Sequence, residues 1–197
     1  MNLIELTPIP VGALPLAEFK DHLRLGTGFT DDALQDGVLV QSLRAAVAAI
    51  EARTSKALFL REFRWQVTLW RHPLRVTLPV APVLGITELR SVLRDGSEVI
   101  GDQSNFYVRP DAHAPELSAA TGCLPTVPAG GRIEVDFPAG FAAEWPGIPA
   151  DLRQALFYLA ADFHEHRHDT DGKGGMPPRV QHLLSSFLPR RISGGAR

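Results

Sequence analysis

The chain has 197 residues, 45% hydrophobic and 21% charged, with a formal net charge of -2. No apolar run approaches the roughly eighteen residues of a membrane span, so the expected class is a globular protein of one modest domain or two small ones. A single cysteine, Cys123, excludes an internal disulfide framework and a multi-thiolate zinc site, and reads as a structural thiol.

The N-terminus, "MNLIELTPIPVGALPLAEF", lacks a basic leader and is interrupted by Pro8, Pro10 and Pro15. It does not read as a secretory signal, and the expected compartment is the cytoplasm. Charge is unevenly placed: residues 1–52 carry a net of -4, whereas residues 172–197 carry a net of +5 with no acid. That polarity suits head-to-tail contact between copies, or a basic tail on an acidic partner.

In chain order, "PLAEFKDHLRL" aligns Leu16, Phe19, Leu23 and Leu25 along a short helix over 16–25, which "GTGF" breaks. A second helix is expected over 30–53, with Thr30 as N-cap and Asp31 and Asp32 in the first turn, where the helix dipole favours them. Leu34, Val38, Leu43, Val47 and Ile50 form its apolar stripe.

The period then becomes two. In "FLREFRWQVTLW", Phe59, Phe63, Trp65, Val67 and Leu69 share one face, and Glu62, Arg64, Gln66 and Thr68 the other. "RVTLP" reads as a short strand and "ITELRSVLRDGSEVI" as a hairpin turning at Asp95-Gly96. "NFYVRP" and "GRIEVDFPAGF" add strands on either side of a Pro-, Gly- and Ala-rich loop. The middle, residues 58–138, is thus an antiparallel sheet of five or six strands.

Helix returns at "IPADLRQALFYLAADFHEHRHD", over 149–168, with Pro149 in its first turn and Leu152, Leu156, Leu159, Ala160 and Phe163 as its stripe. "DTDGKGGMPP" breaks it, and "RVQHLLSSFLPRRI" offers Val180, Leu183, Leu184, Phe187 and Leu188 for burial. The fold class is therefore α+β: two long helices plus short ones, with the antiparallel sheet inserted between them. Residues 1–15 form an N-terminal extension, 16–170 the main domain, and 171–197 a flexible linker with a terminal segment.

The sharpest chemical motif is "HEHRH", which matches the H-E-x-x-H pattern of zinc hydrolases. His164 and His168 share a helix face, while His166 lies about 200° away. The chemistry requires these two histidines as ligands, Glu165 as general base and a third ligand. Only His182 is at hand, across a glycine-rich break. The motif also sits at the last turn of its helix, where Arg167 and the histidines favour the dipole instead. No phosphate-binding or nucleophile-elbow motif occurs.

Element order and phrases together resemble the head-tail connector (adaptor) family of long-tailed phages and gene transfer agents. The matching phrases are "LAEFKDHLRL", "TDDALQDGVLVQSLRAAVAAIEARTSKAL", "FRWQVTLW", "VTLPVAPVLGITELRSVLRDGS", "NFYVRPDAHAPELS", "IEVDFPAGF", "IPADLRQALFYLAADFHEHR" and "MPPRVQHLLSSFLPRR", covering Leu16 to Arg191. Where this chain has Phe163 to Arg167, the family phrase runs aromatic, Glu, any residue, Arg. It requires no histidine, so the zinc-like motif is read as incidental.

The resemblance implies a structural virion protein with no catalysis, cofactor or metal. It implies a ring of twelve copies beneath the portal protein at the head-tail junction, assembled in the bacterial cytoplasm. That ring would extend the DNA channel without specific DNA binding and carry the stopper or tail terminator. The terminal segment, with Val180, Leu183, Leu184, Phe187, Leu188, Arg190 and Arg191, is the expected portal-docking peptide: apolar anchors for affinity, arginines for orientation. The alternative is a zinc-dependent hydrolase using His164, His168 and Glu165.

Overall fold

The computed structural model describes residues 2–25, 32–167 and 175–188. The chain divides into two compact units, each drawn from two stretches of sequence: residues 1–15 with 56–149, and residues 16–55 with 150–197.

The first unit is all β apart from short 3-10 turns. Its larger sheet contains β1 (Asn2–Glu5), β2 (Arg61–Val67), β4 (Glu88–Val92), β5 (Glu98–Ile100) and β8 (Arg132–Ala139), in the order β1-β2-β8-β4-β5. Every neighbouring pair is antiparallel. A smaller antiparallel sheet contains β3 (Arg75–Thr77), β6 (Phe106–Arg109) and β7 (Glu116–Ala119), in the order β3-β7-β6. The middle therefore holds seven strands, joined by β1 from the N-terminus, in two sheets rather than one sheet of five or six. The two strands without a sequence signal are β1 and β7, each only four residues long.

Alternation explains β2. Phe63, Trp65 and Val67 are buried in the core, with Glu62, Arg64 and Gln66 half-buried on the other face. Two positions depart from the expected pattern. Leu69 lies beyond the strand end and is 77% exposed, while Arg61 takes the inward parity and is buried. Arg61 reaches that position because Glu5 accepts from it at 2.8 Å and its guanidinium lies 5.0 Å from the centre of the Phe63 ring. Strand β8 is central and buried on both faces. Ile133, Val135 and Phe137 join Leu89, Leu117, Leu78 and Leu124 in one apolar core fed by both sheets.

Residues 2–15, read from sequence as an extension, contribute to this unit. Strand β1 pairs with β2, and Leu6 and Thr7 extend the contact by backbone and side-chain hydrogen bonds to Glu62. The Pro110–Gly130 stretch is also organised. It contains β7, and buried Lys56 donates to the Ala112 carbonyl beside Asp111. Burial pushes the Lys56 ammonium below its usual pKa, and the Asp111 charge offsets part of that.

The second unit is helical: α1 (Leu16–His22), α2 (Asp32–Thr54), α3 (Ala150–Glu165) and α4 (Pro178–Leu184). Helix α1 stops before Leu25 because Arg24 adopts a left-handed conformation, φ 56°. The amides of Leu25 and Arg24 then bond back to the carbonyls of Lys20 and Asp21, closing a Schellman turn. Along α2 the buried stripe is Leu39, Leu43, Ala46, Val47 and Ile50, with Thr54 bonded back to the Ile50 carbonyl. Val38, expected on that stripe, is instead 39% exposed. A 3.6-residue repeat drawn back from Ile50 through Val47, Ala46 and Leu43 lands on Leu39, one step short of Val38. Thr30 and Asp31 lie outside the described residues.

Gly140 marks a tight passage just after β8. Its φ is 142°, and a Cβ there would sit 2.4 Å from the Phe59 carbonyl oxygen. Gly140→Ala is expected to lower stability by about 2–4 kcal/mol, combining backbone strain with a clash. Gly12→Ala, which meets nothing within 4 Å, is expected to stay within about 0.5 kcal/mol of the parent. Urea denaturation of the two variants, compared with the parent, measures both.

Candidate assembly surfaces

The zinc-like motif falls at the end of α3. His164 is half-buried in its last turn, Glu165 is exposed there, and His168 lies outside the described residues. His166 and Arg167 follow the helix and serve to cap it. The His166 ring bonds to the Asp162 carbonyl at 3.0 Å, and Arg167 donates to the His164 carbonyl at 2.9 Å. His182, the third-ligand candidate, is exposed on α4. Among the described residues, no group of three or more His, Cys, Asp or Glu side chains is placed to hold a metal ion. Cys123 is exposed in its loop.

The terminal segment divides its apolar side chains between two situations. Pro177 and Pro178 start α4, a position where the ring costs no helical hydrogen bond. Val180 and Leu184 are fully buried within the helical unit, and the Arg179 guanidinium lies 4.5 Å from the centre of the Tyr158 ring on α3. These residues hold α4 in place. Leu183, Phe187 and Leu188 are half-buried, while Arg190 and Arg191 lie outside the described residues. An aromatic group formed by Phe19, His22, Phe157 and Tyr158 links α1 to α3, with His22 and Phe157 at 5.3 Å between ring centres.

A further charged feature escapes a strand-by-strand reading, because its members come from four strands. On the face of the larger sheet away from the apolar core, Arg64 makes a bidentate pair with Asp136, both contacts at 2.8 Å. Arg90 reaches the same carboxylate at 2.5 Å, and also Glu88 at 2.9 Å and Glu98 at 3.5 Å. Glu134 accepts from Arg132 at 2.7 Å and from Gln66 at 3.0 Å. Glu134 and Asp136 are nearly covered, at 3% and 7% exposure. Two carboxylates on the central strand are thus sheltered by the arms of arginines on its neighbours.

Burial pushes the Glu134 carboxyl up, but hydrogen bonds from Arg132 and Gln66 and the charges of Arg132 and Arg64 outweigh it. The net result is a carboxyl below its ordinary value of 4.5. A depressed carboxyl stabilises the fold above its unfolded-state value and loses that contribution as pH falls through the folded-state value. Glu134→Gln is therefore expected to cost about 2–4 kcal/mol at neutral pH. The gap from the parent should narrow progressively below about pH 4.5, as chemical denaturation across pH 3–7 would read directly.

No family model matches the sequence, and no curated protein matches it. Solved structures do. A chain from the neck of an empty gene transfer agent particle, computed with C6 symmetry, is 48% identical and superimposes with a TM-score of 0.89, covering 99% of each chain. A chain from the virion of the native gene transfer agent particle is 48% identical at a TM-score of 0.85, again over 99% of both. A chain from the neck of the native particle, computed with C12 symmetry, is 45% identical at 0.83, with the same coverage. With both units and the charged sheet face contained in that correspondence, the chain belongs to the head-tail connector (adaptor) family of long-tailed phages and gene transfer agents.

Proposed function

We propose that this protein is a structural subunit of a particle neck: twelve copies form a ring beneath the portal, extend the DNA channel, and present the platform for a stopper or tail component. The observation that carries the reading is the end-to-end match to neck chains, 48% identical over 99% of both partners. The neck structures containing such chains were computed with C6 and C12 symmetry, which suits a cyclic array. Its role is structural rather than catalytic, and His164 and Glu165 of the zinc-like motif form the last turn of α3. Among the described residues no helix is long and apolar enough to cross a membrane.

Within that reading, the terminal segment docks on the portal. Val180 and Leu184 are already used to seat α4, so Leu183, Phe187 and Leu188 supply the apolar anchors. Arg190 and Arg191 supply charge-assisted orientation on an acidic surface. DNA passes through the lumen without specific recognition, consistent with a net charge of -2.

The test mixes the purified protein with its cognate portal and images the product by electron microscopy. The parent is expected to form rings on the portal. Leu183→Asp/Phe187→Asp, and separately Arg190→Ala/Arg191→Ala, are expected to weaken portal binding at least tenfold while leaving the circular dichroism spectrum unchanged. His164→Ala/His168→Ala is expected to assemble like the parent. Full portal binding by the first two variants would remove the docking assignment, and loss of assembly in the histidine variant would reopen the metal reading.

A further inference from the structure

The larger sheet is open at both ends. Its outer strands are β1 and β5, and among the described residues neither has a strand on its far side. Natural sheets shield such edges with charge, proline, bulges or a covering element, because unpaired amides and carbonyls invite another strand. Strand β5 has little of this protection. All three of its residues are exposed, with Val99 at 59% and Ile100 at 68%. On the opposite edge, Leu3 of β1 is 38% exposed. Strand β1 is nonetheless held firmly by its pairing with β2, the Glu5 and Arg61 ion pair and the Leu6 amide bond to Glu62, so its outer edge is presented as a fixed template.

We infer that β5 of one copy pairs in parallel with β1 of the next, so that the five-stranded sheets join edge to edge around the ring. The inference rests on the cyclic assembly proposed above and adds the interface that closes it.

Two independent lines give the same strand direction. The first is symmetry. With each neighbouring pair antiparallel, β1, β8 and β5 run one way, and β2 and β4 the other. Adjacent copies of a twelve-fold ring differ by a rotation of about 30°, which turns no direction by more than that. Strand β5 then meets the neighbour's β1 in the parallel sense where the ring rotation offsets the sheet's accumulated twist, about 20–25° per strand step.

The second is side-chain matching. The observed registers place Leu3, Glu5 and Val99 toward the core side of the sheet, and Asn2, Ile4, Glu98 and Ile100 toward the charged side. A joined sheet keeps residues of like face opposite one another. In parallel pairing one register sets Leu3 beside Val99, Ile4 beside Ile100 and Asn2 beside Glu98. Apolar then meets apolar on both faces, and amide meets carboxylate. Antiparallel registers cannot do this: matching Leu3 with Val99 puts Ile4 against Glu98, and matching Ile4 with Ile100 puts Glu5 against Val99. Backbone hydrogen bonds supply the attraction and the alternating side chains the register.

The test uses the full chain assembled on its cognate portal, in a Cys123→Ser background that removes the native exposed thiol. Leu3→Cys/Val99→Cys is treated with a short bismaleimide. Within one chain these positions lie four strand spacings apart, about 19 Å, beyond the linker's reach. Denaturing gels are expected to show a ladder of multimers rising to the ring, with neither single variant giving one. Rings visible by electron microscopy without a ladder would overturn the strand pairing while leaving the ring in place. Dimers from Val99→Cys alone would point to a two-fold β5 contact and also overturn it. Failure of the Cys123→Ser parent to form rings would remove the ring and this interface together. As a second measurement, Val99→Lys/Ile100→Lys changes only exposed side chains, so its thermal melt should match the parent. Its ring yield is expected to fall at least tenfold, and an undiminished yield would overturn the pairing.

Discussion

Asp136 and Glu134 occupy the middle strand of a sheet whose every element depends on that strand being buried on both sides. A carboxylate so covered is tolerable only if cations accompany it, and the cations come from strands on either side: Arg64 from β2 and Arg90 from β4. A slip of either neighbour by one residue would turn its arginine toward the core and leave a buried charge unpaired. The ionic layer therefore enforces register, while the opposite face of the same strand, with Ile133, Val135 and Phe137, supplies the apolar contact.

The helical unit relies on a different device. Its long helices α2 and α3 pack through small and branched residues, Ala46 and Val47 on one and Ala155, Leu156 and Ala160 on the other. The short helices are fixed by end chemistry: α1 by its left-handed Arg24, and α4 by paired prolines at its start and by Arg179 over Tyr158. The helical unit takes its chain from both sides of the β unit in sequence.

Much of this was legible from residue order. Alternation in "REFRWQV" marked β2 and its inward face, Asp95-Gly96 marked the hairpin, with Gly96 at φ 87°, and the stripe of α3 marked Leu152, Leu156 and Leu159 as buried. Strands β1 and β7 were not legible, since "NLIE" and "ELSA" become strands only through partners in β2 for β1 and in β3 and β6 for β7. Arg61 was passed over for the same reason, because nothing local announces that Glu5 will meet it. The histidines mark where local reading stops: His166 and Arg167 bond back to carbonyls of α3, while His168 lies outside the described residues.

The sequence by itself determined the α+β class, the long helices, the main strands and the family, because these depend on periodicity and on phrases that are local in the chain. Tertiary structure alone decided that the middle is two sheets, that Glu134 and Asp136 share a layer with Arg64 and Arg90, and that Val180 and Leu184 are spent on holding α4 rather than exposed. The physical reason is range. Helical and alternating patterns are set by neighbours within a few residues, whereas sheet order, ion pairing and burial are set by groups brought together only when distant segments meet.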